Sequence, residues 1–363
     1  MNHFIPQTQP WFGPEEKQAV ADYMESGGWV TEFVKTREFA RVIAEYTGAG
    51  FCSVLSNGSV TLTAALLACG IGRDDEVVVP AYTMIATANA VPMACGAKPV
   101  FADIERETMC LDLDSLMAAC TPNTKAVMLV SINGRYPEKL EGILRFSRQR
   151  DIKVIEDAAQ SLGSYCSGRH AGRFGECGSF SFSMPKIITT GQGGALITDD
   201  EELYRKIELV RNFGRKQAGV DDHVFFGTNF KFTDLQAVVG IEQMKKLQPR
   251  VQRKREIYKV LQEELSDVPG VKFFATSDDA TPWFNDILVE DPASLQEHLK
   301  ANNIGSRPFY PPLHTQAPYN MQKGLFPNAE YISSRGLWLP SYAQLTQSEI
   351  ERITTVIRNY FSA

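Results

Sequence analysis

Residues 51–68 read FCSVLSNGSVTLTAALLA. Phe51 to Leu55 is a short apolar run, Ser56-Asn57-Gly58-Ser59 is a turn, and the small residues through Ala68 suit a packed helix. A strand that stops at a glycine turn and feeds a helix is the first half of a strand–helix–strand unit. The pattern then repeats, with strands over 76–79, 99–101, 126–131 and 152–155 and helices over 83–95, 113–119 and 137–148 between them. The apolar runs are short, rich in β-branched residues and bounded by turn formers, as strands covered on both faces are. Amphipathic helices over 14–26 and 35–47, separated at Gly27-Gly28, precede the series. The order predicts an α/β domain around a mostly parallel sheet.

After Ala195-Leu196-Ile197-Thr198 the alternation is less clear. A long helical stretch over 233–265 carries a break at Pro249, a Pro-rich segment follows at 307–312, and a helix over 347–361 closes the chain. This places a large α/β domain over 1–245 and a smaller C-terminal domain over 246–363. The chain has 363 residues, 44% of them hydrophobic, which is enough for a sizeable core. Its net charge is −6, and no basic stripe interleaved with aromatics occurs, so no nucleic-acid partner is expected. No apolar run is long enough to span a membrane. The start, MNHFIPQTQPWFGPEE, lacks the regions of a signal peptide, so a cytoplasmic protein is expected. Seven cysteines, at 52, 69, 95, 110, 120, 166 and 177, include no C-x-x-C pair and read as reduced thiols. Five dispersed histidines show no metal-ligand spacing, and no metal site is expected.

Three clusters fall at predicted strand ends, where open α/β sheets bind ligands. Asn57-Gly58-Ser59 turns into a helix N-terminus, which suits a phosphate; alone it reads rather as a helix cap. Glu156-Asp157 follows the apolar strand, and alone could cap the next helix. Ser179-Phe180-Ser181-Phe182-Ser183-Met184-Pro185-Lys186 leads into Thr189-Thr190-Gly191-Gln192-Gly193-Gly194, where a lone Lys would ordinarily be a surface residue. Together, a phosphate cradle, an acid and a lysine are the parts that pyridoxal phosphate (PLP) chemistry needs. The lysine must lose its proton to form an imine, and a carboxylate must keep the pyridine nitrogen protonated.

The segments 155–163 (IEDAAQSLG) and 178–182 (GSFSF), with Lys186 and TTGQGG at 189–194, resemble the DegT/DnrJ/EryC1/StrS sugar aminotransferases, of PLP fold type I. Further matches are Gly227-Thr228-Asn229-Phe230-Lys231, residues 307–314 and Leu339-Pro340-Ser341, so the resemblance covers nearly the whole chain. It implies a mostly parallel seven-stranded sheet and a smaller C-terminal α+β domain. It further implies that Lys186 carries the cofactor, Asp157 holds the pyridine nitrogen, and Gln160 lies by the ring hydroxyl or ring face. Gly58, Ser59 and Ser181 would bind the phosphate. Asn229 would reach the phosphate of a neighbouring subunit, giving a homodimer with shared sites. Trp29, Arg307 and His314 match substrate-side or interface positions.

The chain departs from the family pattern at three places. Met84 stands where an aromatic residue often stacks on the cofactor, and a thioether packs there more weakly. Tyr82, two residues before it, is not expected to compensate. Ile132-Asn133-Gly134-Arg135 replaces a His-x-Tyr-Gly segment, and Gln192 replaces a commoner Glu. Sugar 3-dehydratases of this fold have His in place of the lysine, so Lys186 implies transamination. The expected reaction takes an amino group from L-glutamate to a nucleotide-linked keto-sugar. The 186–191 stretch most resembles perosamine-type 4-aminotransferases, which implies a 4-keto-6-deoxyhexose. A 3-keto sugar or keto-cyclitol is the alternative, and an inactive binding relative is the reading from another class. A dinucleotide-dependent dehydrogenase is excluded because Asn57-Gly58-Ser59 lacks G-x-G-x-x-G spacing.

Overall fold

The computed structural model describes residues 3–217 and 219–362, and the backbone but not the side chain of Cys95. Met1 and Asn2, at the start of the stretch read for a signal peptide, lie outside the described residues. The main sheet uses β1 (Phe51–Leu55), β2 (Glu76–Pro80), β3 (Lys98–Ala102), β4 (Thr124–Val130) and β5 (Lys153–Asp157). A small hairpin, β6 (Tyr165–Cys166) and β7 (Arg169–His170), precedes its last two members, β8 (Cys177–Ser181) and β9 (Gly194–Thr198). The seven strands run in the order β1-β9-β8-β5-β4-β2-β3. All pairs are parallel except the two made by β9.

Alternation along the strands explains why the sheet must be covered twice. Val77, Val79, Met128 and Ile155 enter one apolar cluster, while their neighbours Val78, Val127, Leu129 and Val154 enter the other. The helices that supply these layers are α2 (Val34–Thr47), α3 (Gly58–Ala68), α4 (Ile85–Cys95), α5 (Leu113–Ala119), α6 (Leu140–Gln149), α7 (Glu201–Arg211) and α8 (Asp234–Lys245), with α1 (Pro14–Glu25) lying outside on α8. Their starts are marked by side-chain caps: Asn57, Asp112, Asp200 and Thr233 accept from backbone amides of α3, α5, α7 and α8.

The helix α9 (Leu247–Leu265) begins after a break at Lys246, not at Pro249. Pro249 lies in the first turn of α9, where its missing N–H would have had no partner anyway. One end of α9, at Leu247 and Val251, packs on the large sheet. The other, at Ile257, Leu261 and Leu265, packs on a third cluster. That cluster sits on a second, antiparallel sheet in the order β10 (Lys272–Phe273), β11 (Asn285–Leu288), β13 (Gly336–Leu339), β12 (Arg307–Pro308). Helices α10 (Pro292–Ala301), α11 (Pro327–Arg335) and α12 (Gln347–Ser362) complete the C-terminal part. Ile5 exchanges backbone hydrogen bonds with Asn303 and Gly305 at 2.9 and 2.7 Å, so the first residues dock on the C-terminal layer. Among the described residues no helix is long and apolar enough to cross a membrane.

Candidate active site

The C-terminal ends of the parallel strands, with the turn after β1, converge on one cavity of about 680 Å³. Asn57, Gly58 and Ser59 line it from the start of α3, Thr83 and Met84 from the turn before α4, Asp157 and Gln160 from the end of β5, and Ser181, Ser183 and Lys186 from the loop after β8. Strand register explains this convergence: Ser181 pairs with Gly194 and Leu55 with the same Gly194, so the phosphate-type turn and the lysine loop leave the sheet side by side. A Cβ on Gly58 would stand 2.6 Å from Ser181 Cβ, and one on Gly194 would stand 2.8 Å from the Gly58 nitrogen. Both positions require glycine because the two segments pass in contact.

Lys186 is at the tip of the β8–β9 loop. Backbone bonds from Phe182 to Gly193 (2.8 Å), Thr190 to Phe182 (3.0 Å) and Lys186 to Ser183 (3.0 Å) close that loop. The residue keeps some exposed surface, yet its amine is enclosed by protein. Burial pulls its pKa down to about 8, while the charge on Asp157 opposes that shift. Asp157 is buried, and burial raises its carboxyl above the usual value. Opposing that, the Thr87 hydroxyl donates to Oδ2 at 2.7 Å, the Ala159 amide donates to Oδ1 at 3.1 Å, and Lys186 adds its charge. Glu156, next to it on β5, faces the other way. It accepts from the Tyr136 hydroxyl and from the Gly172 and Phe174 amides at 2.7 and 3.1 Å, and burial lifts its pKa to about 7. The acid pair therefore divides between a structural and a cavity-facing role.

Gln160 accepts from the Asn133 amide at 2.8 Å, which fixes its side chain at the cavity wall. Met84 caps α4, its sulfur accepting from the Ala86 amide at 3.0 Å, and 43% of it is exposed. Tyr82 is buried among Phe309 and Tyr310 and does not line the cavity. Four other expected positions lie elsewhere. Asn229 is exposed, is bridged to Asn212 and is absent from its own chain's cavity wall. Trp29, 66% exposed, borders a separate hollow of about 620 Å³ among α1, α2 and α8. Arg307 is exposed at the edge of the second sheet, its guanidinium over Tyr310 and Trp338. His314, expected at a substrate-side or interface position, is buried in the single chain: Nε2 contacts Glu330 at 2.9 Å, its ring packs edge-on against Phe326, and its Nδ1 has no partner among the described residues.

The structure adds residues to which the sequence reading gave no role at the site. Thr87 one turn into α4, Gln192 and Ser183 all bear on the cavity. Trp283, 97 residues beyond Lys186, places its ring 4.1 Å from the lysine amine. Only Thr87 had a local signal, a hydroxyl one turn after Thr83 on a small-residue helix. The arrangement matches the demands of PLP at three points of the wall. A glycine cradle with two serines stands at a helix N-terminus, a buried carboxylate lies deeper, and an amine is poised to lose its proton.

Such a wall on a doubly covered, mostly parallel seven-stranded sheet defines the class of PLP-dependent aminotransferases of fold type I. Residues 11–358 match the DegT/DnrJ/EryC1/StrS aminotransferase family, and the chain belongs to it. It is 32% identical to a GDP-perosamine synthase of Escherichia coli O157:H7, over 99% of each chain. It is also 32% identical to the spore coat polysaccharide biosynthesis protein SpsC of Bacillus subtilis, covering 99% of this chain and 97% of that one. Among solved structures, the aminotransferase TlmJ from Streptoalloteichus hindustanus superposes with a TM-score of 0.92 at 29% identity, over 99% of each chain. DesV of S. venezuelae gives 0.91 at 28% identity over 96% of each.

Proposed function

We propose that this aminotransferase moves an amino group from L-glutamate to a nucleotide-linked keto-sugar, with a 4-keto-6-deoxyhexose as the leading acceptor. The observation that carries the reaction type is the placing of Lys186 and Asp157 on one cavity. The sugar rests on the likeness to GDP-perosamine synthases at 30–33% identity. PLP bound here would supply an aldehyde that takes up the amine and a protonated ring that accepts the electron pair left when a C–H bond breaks.

The chain's own residues do the rest. Lys186 would hold the cofactor covalently at rest. When freed, its amine would take the proton from the substrate carbon and return it to the carbon on the other side of the transferred nitrogen. The Asp157 carboxylate, fixed by Thr87 and Ala159, would keep the ring nitrogen protonated. Gly58, Ser59 and Ser181, at the start of α3 and the end of β8, would hold the phosphate, and Gln160 and Met84 would pack by the ring. Asn229, exposed and away from its own cavity, serves the phosphate of a second copy, so the working unit is a homodimer with two shared sites. Trp29 and Arg307, both exposed, and His314, buried with a free Nδ1, are the candidate substrate-side or interface positions. A cytoplasmic location accords with the six described cysteines being free thiols.

The test is optical first and analytical second. Protein loaded with PLP should be yellow and should bleach with L-glutamate. The bleached form should then convert one member of a panel of nucleotide-linked 4-keto, 3-keto and keto-cyclitol acceptors, read by product mass. Turnover of the 3-keto or cyclitol members alone would replace the proposed acceptor. Absence of the yellow species would overturn the whole assignment.

A further inference from the structure

We propose that the face of Trp283 is the resting place of the Lys186 amine whenever that amine is not bonded to the cofactor. This makes Trp283 a positioning residue for the proton the amine carries. The inference rests on the reading of Lys186 as the cofactor lysine. The amine lies 4.1 Å from the centroid of the indole ring, within the range where a cation is drawn to a π face.

The indole is held from several sides. Its Nε1–H donates at 2.8 Å to the carbonyl of Pro185, the residue immediately before the lysine. Its own carbonyl accepts from Lys254 of α9 at 2.5 Å, and Lys254 donates also to the Ser341 carbonyl. The ring stacks on Phe284 with centroids 3.7 Å apart and meets Trp338 at 64°. Trp283 is 6% exposed. Ring and lysine loop are therefore tied to each other and to α9, so the distance between amine and indole is built into the fold.

The chemistry gives this contact a purpose. A freed lysine amine in a water-poor site is pushed to lose its proton, yet it must carry that proton between two carbons. A carboxylate in contact would keep the amine protonated and anchored by a strong ion pair. A π face favours the charged form more weakly and without fixed direction, so the amine stays charged but able to move. The other titratable groups around it are Asp157 of β5, Arg250 and Lys254 of α9, and the Tyr342 phenol.

The test uses the full chain stripped of cofactor. Competitive labelling of Lys186 with acetic anhydride across pH, read by peptide mass, gives the midpoint at which the amine becomes reactive. Trp283→Leu removes the π face and should lower that midpoint by about half a unit to one unit. Trp283→Phe keeps a weaker face and should fall between the two. In the wild type, indole emission should change over the same pH range, and Lys186→Met should abolish that change. An unmoved or raised midpoint in Trp283→Leu overturns the inference, and in Trp283→Phe it does so should the leucine variant not fold. Borohydride reduction of the loaded wild type separates the two levels. Cofactor trapped on Lys186 with an unmoved midpoint removes this inference alone, whereas cofactor trapped elsewhere removes the functional reading beneath it.

Discussion

Lys186 and Asp157 are each held away from their usual protonation behaviour by burial, and each partly restores the other. For the lysine the native amine binds its proton less tightly than the unfolded one. Between about pH 8 and the ordinary lysine value the unfolded chain therefore holds more protons, and the contribution of Lys186 to stability rises with pH across that window. The functional counterpart is simpler to measure. Uptake of PLP by cofactor-free protein, followed by visible absorbance, should accelerate with pH through a midpoint near 8. A flat profile from pH 6 to 9 would contradict that assignment. Lys186→Ala removes both the covalent anchor and the proton carrier and should lower kcat by at least about 10⁴-fold. Steady-state turnover in that variant within tenfold of wild type would refute the role.

At the scale of elements, the largest surprise is the segment that departs from the family pattern. Asn133 adopts a left-handed backbone (φ 51°), a conformation that Asn tolerates better than most residues. Its side chain donates to the Phe284 carbonyl and to Asp286 at 2.9 and 2.6 Å and accepts from the Phe284 amide at 2.7 Å. Arg135 adds a two-pronged ion pair to Asp286 at 2.7 and 2.8 Å, with both side chains buried. The segment thus clamps the strand β11 to the end of β4 and, through the Asn133 amide, orients Gln160 at the cavity. Asp286→Ala would leave the Arg135 charge buried without its partner, which should cost about 3–5 kcal/mol in denaturant unfolding. A loss under about 1 kcal/mol would mean the pair is not holding these elements together. None of this was legible in the sequence, because the partners lie 151 residues apart. The strands and helices from 51 to 157 were legible, since each is fixed by a local apolar period and a turn. So was the meeting of Asn57-Gly58-Ser59, Asp157 and Lys186 at the strand ends, on one cavity. The break before α9 was misplaced because Pro249 is a strong local signal that the first turn of a helix absorbs without cost.

For the molecule as a whole, the proposed shared site has one chain supplying most of a site and a second copy supplying Asn229. Asn229 lies outside the cavity of its own chain, as expected of a residue that acts across a dimer interface. Asn229→Ala should raise the dissociation constant for PLP about tenfold, the worth of one hydrogen bond to a charged group, while the circular dichroism spectrum stays native. Unchanged PLP affinity would argue against shared sites. His314 marks what sequence resemblance alone could not sort out, since an imidazole in the core and one at a ligand look alike in a string of letters. The central claim is that the amine at 186 and the carboxylate at 157 serve one cofactor, and trapping that cofactor tests it most directly. Borohydride reduction of PLP-loaded protein, followed by peptide mass analysis, should place the whole pyridoxyl mass on Lys186, and Asp157→Asn should leave that attachment in place while abolishing bleaching by glutamate. Pyridoxyl mass on another lysine, or bleaching that survives Asp157→Asn, would contradict it.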